Sequence, residues 1–172
     1  MIFYFRLYGS NQFINKRVFL KKIFTVVLLI NFLKTKITLA KEKMTKSKED
    51  WKKILSETEY NVLRDEGTER AYTSTLNEEK REGNYYCVGC NNKLFSSKMK
   101  FDSGTGWPSF FESYPGAFGT SADFKLVYPR TEYHCTKCEG HHGHLFDDGP
   151  EPTGKRYCNN GIVLKFIPEK IS

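Results

Sequence analysis

Tyr85-Tyr86-Cys87-Val88-Gly89-Cys90-Asn91-Asn92-Lys93-Leu94-Phe95 is the stretch that decides the fold. Two aromatic residues lead into a C-x-x-C turn, and a Leu-Phe pair follows after a short gap. A second copy runs from Thr131-Glu132-Tyr133-His134 into Cys135-Thr136-Lys137-Cys138 and, after a longer gap, into Leu145-Phe146. Each copy reads as a hairpin knuckle whose turn offers two sulfurs and whose return strand buries Leu-Phe. One C-x-x-C turn supplies half of a tetrahedron, and two close it, with Zn–S bonds of about 2.3 Å and no open position for water. Cys87, Cys90, Cys135 and Cys138 are therefore expected to hold one structural Zn2+. The wide gap between Cys90 and Cys135 means that such a site ties distant parts of the chain together rather than nucleating a small finger. The rival reading of C-x-x-C, a thioredoxin-like redox pair, requires a βαβ setting that the sequence lacks.

Outward from the knuckles the text keeps one character. From Tyr85 onward, short aromatic and β-branched runs such as His144-Leu145-Phe146 and Gly161 to Ile167 alternate with clusters of Gly, Pro, Asn and Asp. Gly104-Thr105-Gly106 and Pro115-Gly116 are the clearest breakers, and no long amphipathic helix is legible after about residue 82. This predicts a mainly β, antiparallel domain with tight connections. Before it, Ser47-x-x-Asp50 precedes Trp51, Ile54 and Leu55 at helical spacing, and Ser56-x-x-Glu59 precedes Tyr60 and Leu63. Two short capped helices are expected, the second ending at Gly67.

The chain has 172 residues with a net charge of +7, but the charge is unevenly placed. Residues 1–41 hold eight Lys or Arg and no acid; the remaining 19 bases face 20 acids in residues 42–172, a net of −1. The body is thus near neutral, and a nucleic-acid partner is not expected, because that needs a basic face on the domain itself. Ile23 to Leu33 is an apolar run behind Lys16, Arg17, Lys21 and Lys22, and is followed by Thr38-Leu39-Ala40. It is shorter than the roughly 20 residues that span a bilayer. Three readings fit residues 1–44: a secretory signal with export to a periplasm-like compartment, an organelle presequence, or upstream codons before a cytoplasmic start at Met44. The body is taken as residues 45–172.

Cys158 is the odd cysteine. Arg156 alternates with it along a predicted strand, where its charge favours a thiolate, and Asn160 continues that face. His141-His142-Gly143-His144 is expected to place imidazoles in a glycine-rich loop. A thiol, a cation and histidines are a kit for nucleophilic attack with proton delivery. Set against this, free cysteines are often merely buried. Gly106-Trp107-Pro108-Ser109-Phe110-Phe111 offers aromatic rings, either as core or as a wall for an apolar or sulfur-bearing group, with Trp107 and Phe110 as the candidate contacts.

Taken together, Asp102-Ser103-Gly104-Thr105-Gly106-Trp107-Pro108-Ser109-Phe110, the two C-x-x-C pairs, His141-x-x-His144-Leu145-Phe146-Asp147-Asp148-Gly149-Pro150 and Pro152-Thr153-Gly154-Lys155-Arg156-Tyr157-Cys158-Asn159-Asn160 resemble the methionine sulfoxide reductases of the B type. The resemblance covers roughly residues 48–168 in order. It implies two small antiparallel sheets, sandwich- or barrel-like, with short N-terminal helices, and reduction of the R epimer of methionine sulfoxide, mainly in proteins. It implies that Cys158 is the nucleophile, that His144 and His141 bind or protonate the sulfoxide oxygen, and that Trp107 packs on the substrate methyl. It further implies that Arg156 and Asn160 orient the site and that the four paired cysteines hold zinc. Oxidised proteins and a thioredoxin-like or other thiol reductant are the expected partners of a monomeric enzyme that repairs oxidised proteins. Some members carry a resolving cysteine in the G-x-G-W-P stretch; here that position is Thr105, so an external thiol is expected to complete the cycle.

Overall fold

The computed structural model describes residues 43–170. The basic leader, its apolar run and the Thr38-Leu39-Ala40 site lie outside the described residues. Both serine caps act as expected. In α1 (Lys48–Ile54) the Ser47 hydroxyl accepts from Asp50 N at 3.1 Å. In α2 (Glu57–Asp65) the Ser56 hydroxyl accepts from Glu59 N while the Glu59 carboxylate accepts from Ser56 N, a complete capping box. The end of α2 differs from expectation. Glu66, not Gly67, takes the left-handed conformation, with φ of 55°.

Beyond Asp65 the described residues contain strands and short 3-10 turns only. The strands are β1 (Gly83–Cys87), β2 (Lys93–Ser96), β3 (Lys100–Phe101), β4 (Ser109–Phe110), β5 (Phe118–Asp123), β6 (Arg130–Cys135), β7 (His141–Phe146), β8 (Arg156–Asn159) and β9 (Leu164–Pro168). They form two antiparallel sheets, ordered β2-β1-β9 and β3-β4-β8-β7-β6-β5. The predicted last strand is split, with Gly161–Val163 forming a 3-10 turn before β9.

Aromatic rings fill the space between the sheets. Phe95 of the smaller sheet stacks on Phe110 of the larger at 3.9 Å, Tyr85 meets Phe110 edge-on, and Phe118 meets Tyr133 at 4.8 Å. Phe110 is completely buried in this cluster. That corrects its assignment as a substrate contact. Strand residues alternate sides, so Ser109 takes the outer position and Phe110 the core.

The two knuckles are near-copies. Cys87 N donates to Asn92 O and Asn91 N to Cys87 O, both at 2.9 Å. In the second, Cys135 N donates to Gly140 O at 2.9 Å and Glu139 N to Cys135 O at 2.8 Å. Asn91 and Glu139, each just after the second cysteine, both have positive φ, 53° and 57°. Leu63 of α2 covers both turns: a Cβ added at Gly89 or Gly140 would lie 2.7 or 2.5 Å from its side chain. The helices therefore lie on the knuckles, which accounts for their sparse apolar residues.

The repeat fails in one place. Leu94 and Phe95 are fully buried, but Leu145 and Phe146 are half-buried. Counted from the first cysteine of each knuckle, the partner of Leu94 is His142. It is fully buried, and neither ring nitrogen has a hydrogen-bond partner; Asn159 lies beside it without completing one. Burial lowers the His142 pKa from 6.5 to about 4. The unfolded chain then takes up a proton below pH 6.5 that the folded chain refuses until about pH 4. Stability is therefore lost as pH falls through that window, by roughly 3 kcal/mol for a shift of this size. His142→Leu is expected to raise the urea midpoint, with a gain over the parent that is larger at pH 5 than at pH 8. An equal or negative gain at pH 5 would contradict the assignment.

Candidate active site and metal centre

β8 lies between β4 and β7, so Cys158 faces Ser109 on one side and His144 on the other. Residues directly opposite in an antiparallel pair point to the same face, with Cβ atoms about 4.5–5.5 Å apart. Alternation sends the next set, Phe110, Tyr157 and Leu145, toward the core. On the outer face the row continues from His144 to Glu132 on β6 and Ser121 on β5.

His141 and His144, expected in a loop, lie instead in β7, three apart, and would face opposite sides of a regular strand. The β6–β7 register shifts between Tyr133 and His134, where the partners pass from Gly143 to His141, so His142 is an extra residue in β7. Such a bulge reverses the alternation. It brings the His141 and His144 rings to 5.5 Å. A carboxylate holds each ring: His141 Nδ1 is 2.9 Å from Glu132, and His144 Nε2 is 2.7 Å from Asp123. Burial would raise the Glu132 carboxyl, but donors from His141, His134 and Ser121 outweigh it and hold its pKa at about 2. Asp123 is held well below the usual carboxylate range by Lys125 N, His144 and Arg130. With both carboxylates ionised, His144 Nε2 and His141 Nδ1 are the donors. That leaves His144 Nδ1 as the basic nitrogen. Burial pulls the His144 pKa down, so the neutral ring is favoured.

Arg156 is held by both oxygens of Asp148, at 2.8 and 2.9 Å, and its guanidinium stacks on Phe146 at 4.3 Å. Its charge favours a Cys158 thiolate, as does a hydrogen bond from the Thr105 hydroxyl. Burial is the larger effect, and the Cys158 thiol is pushed up. Arg156 thus acts in the expected direction, toward the thiolate, but burial outweighs it.

A cavity of about 130 Å³ opens over this thiol, with Thr68, Trp107, Arg130, His144, Phe146, Cys158 and Asn160 among its lining residues. Glu69 fastens its wall: Trp107 Nε1 donates to Glu69 O at 3.1 Å, and Glu69 N donates to Asn160 Oδ1 at 3.0 Å. A larger cleft of about 940 Å³ between α2 and the Gly161 turn contains neither cysteine nor histidine, so the chemistry belongs to the smaller one. Of the residues singled out in the sequence, Cys158, His144, Trp107 and Asn160 meet at this cavity. His141 stands behind His144, and Arg156 behind Phe146. Sequence reasoning missed Asp123, Arg130 and Glu132. Only Glu132 left a trace, as an acid within a strand run ending in His134 and Cys135.

The four remaining cysteines are buried, and their sulfurs all lie within 4.8 Å of one another. Cys87 and Cys138 sulfurs are 3.7 Å apart, and Cys90 and Cys135 sulfurs 3.5 Å. A tetrahedron with 2.3 Å metal–sulfur bonds has edges of about 3.8 Å, so the set can hold a metal ion. Without a cation the sulfurs must share protons: Cys138 and its neighbours push the Cys135 thiol down, and Cys135 pushes the Cys87 and Cys138 thiols up. The site joins the two sheets, since Cys87 ends β1 and Cys135 ends β6. Asn92 Nδ2, 3.4 Å from Cys135 Sγ, supports one ligand from outside.

Residues 55–168 match the model of the SelR domain. A protein of Methanosarcina mazei named peptide methionine sulfoxide reductase MsrB is 45% identical over 133 residues, which cover 77% of this chain and 95% of that protein. One of the same name from Pseudomonas fluorescens is 47% identical over 128 residues, 74% and 98% of the two chains. Methionine-R-sulfoxide reductase B2, mitochondrial, of Rattus norvegicus is 44% identical over 142 residues, 77% and 81%.

Proposed function

The chain belongs to the methionine sulfoxide reductase B family, whose members reduce methionine sulfoxide, and we propose that it reduces the R epimer through a sulfenic acid on Cys158. The observation that carries this reading is the placement of Cys158 directly opposite His144 in a cavity walled by Trp107. Trp107 and Phe146 receive the methyl and methylene groups beside the sulfoxide sulfur, which pack well on aromatic rings. His144 Nδ1 takes the Cys158 proton as the sulfur attacks, and returns it to the sulfoxide oxygen. A sulfur–sulfur contact forms and the substrate's S–O bond breaks; oxygen and proton end together on Cys158 as S–OH, and methionine leaves. The step needs no outside proton, which suits a resting thiol. His141 and Arg156 act from behind, steadying His144 and the charge on sulfur, and Asn160 lines the cavity.

Thr105 stands beside Cys158, and the other four cysteines form the metal cluster. An external thiol therefore attacks the sulfenic acid, releasing water and leaving a mixed disulfide that a second thiol reduces. Zinc is the ion we assign to the cluster: four thiolates suit its tetrahedral preference and leave no place for a reacting ligand. Its part is to hold the two sheets in register.

The test uses each epimer separately with no reductant present. One equivalent of methionine is expected per protein with the R epimer only, and dimedone should then label Cys158. Equal turnover of the S epimer would refute the stereochemistry. An intramolecular disulfide at Cys158 would refute the external thiol.

A further inference from the structure

We propose that the loop between β5 and β6, residues 124–129, docks apolar residues that flank the oxidised methionine in an unfolded polypeptide; this rests on the function proposed above. Phe124 is 75% exposed, Leu126 48%, Val127 106% and Tyr128 63%. These make up half of the large exposed apolar side chains among the described residues, gathered in one six-residue loop. Contiguous exposed apolar groups mark an interaction site far more often than scattered ones do.

The loop is continuous with the cavity at both ends. Asp123, its first stem residue, holds His144 at 2.7 Å and Arg130 at 2.6 Å. Arg130, its last, lines the cavity itself. Lys125 ties the loop base to Glu66 at 2.6 Å, close along the chain to Thr68 of the cavity wall. The loop is thus pinned at its root and free at its tip, one residue from the reacting groups on either side.

The cavity is smaller than the ~300–1,000 Å³ that encloses a drug-sized ligand. It takes one side chain and leaves the rest of a polypeptide outside, beside a loop whose last stem residue, Arg130, lines the cavity. Lys125 is the loop's one charged residue, so what it offers a partner is apolar area. Folded proteins keep most large apolar side chains inside. A polypeptide presenting several of them around a methionine is an unfolded one.

The test compares peptides carrying one methionine-R-sulfoxide flanked on both sides by Leu and Val, or by Ser and Gly, with N-acetyl-methionine-R-sulfoxide as the short reference. In the parent, kcat/KM is expected to favour the apolar-flanked peptide by about tenfold, the scale of burying one or two such side chains. Replacing Phe124, Leu126, Val127 and Tyr128 by Ser should bring that ratio close to one while turnover of the short substrate is unchanged. Should the fourfold variant disturb the Asp123–Arg130 pair, Val127→Ser alone, at the most exposed position, should still reduce the ratio by about twofold. A parent ratio near one, or a ratio unmoved in both variants, overturns the proposal. So does self-association of the parent, or its binding to neutral phosphatidylcholine vesicles, that the fourfold variant abolishes while the peptide ratio stays. Failure of the parent to reduce even the short substrate would instead sink the catalytic reading.

Discussion

Cys158→Ser is expected to lower turnover of methionine-R-sulfoxide by at least about 10³-fold, the scale seen when a catalytic nucleophile is removed. Zinc content and melting temperature should stay at the parent's values. The size of the loss follows from what the nucleophile has to do. Sulfur can accept the substrate's oxygen as S–OH. Serine would have to form a weak O–O bond, and its hydroxyl is far less nucleophilic than a thiol. The structural cost is small, because Cys158 is half-buried at a cavity and is not one of the four clustered cysteines. A non-catalytic zinc module on the same scaffold would show the same unchanged zinc and stability but no sulfoxide turnover in the parent either. Turnover persisting in the Cys158→Ser variant, measured by methionine release from the pure R epimer, would show that the nucleophile lies elsewhere.

The parts of this protein that obey local rules are legible from its sequence. Ser47 and Ser56 sit where a cap has to be, and the paired cysteines carry their geometry in a two-residue spacing. What escapes depends on strand pairing. Phe110 reads as part of an aromatic wall, and only the β4–β8 register shows that Ser109 takes the outer face and Phe110 the core. His141 and His144 share a face only because His142 is an extra residue in β7. No spacing rule written for a regular strand yields that. Asp123 and Arg130 stand seven apart at the two ends of a loop, so their pairing and their hold on His144 exist only once β5 and β6 are side by side. The charge balance around Cys158 escapes for a related reason. Arg156 is visible in the sequence, whereas the burial that outweighs it belongs to the assembled sheet.

Cys135→Ser is expected to fail in the opposite way from Cys158→Ser, losing the metal first and activity in consequence. Cys135 is completely buried at the end of β6, and its sulfur lies 3.5 Å from that of Cys90 across the junction of the two sheets. Structural zinc sites supply an apparent ~10–16 kcal/mol in small domains near neutral pH. Whole domains are stable by only ~5–15 kcal/mol. With zinc bound there as proposed, even a fraction of that term would be a large part of what holds β1 to β6, because the contact it would replace is a cluster of buried thiols sharing protons. The melting temperature should fall by at least about 15 °C, since each 1 kcal/mol moves it by ~2–8 °C in domains of this size. Zinc measured by mass spectrometry should drop from one equivalent to well below half. Activity should fall as well, because β6 carries Glu132, which holds His141, and pairs with β7, which carries His144. Treating the parent with a strong chelator should reproduce both losses, and zinc should restore them while the thiols are kept reduced. Active parent protein that contains no zinc, or a Cys135→Ser variant with the parent's melting temperature, would remove zinc from the account of this fold and leave the four sulfurs as ordinary core.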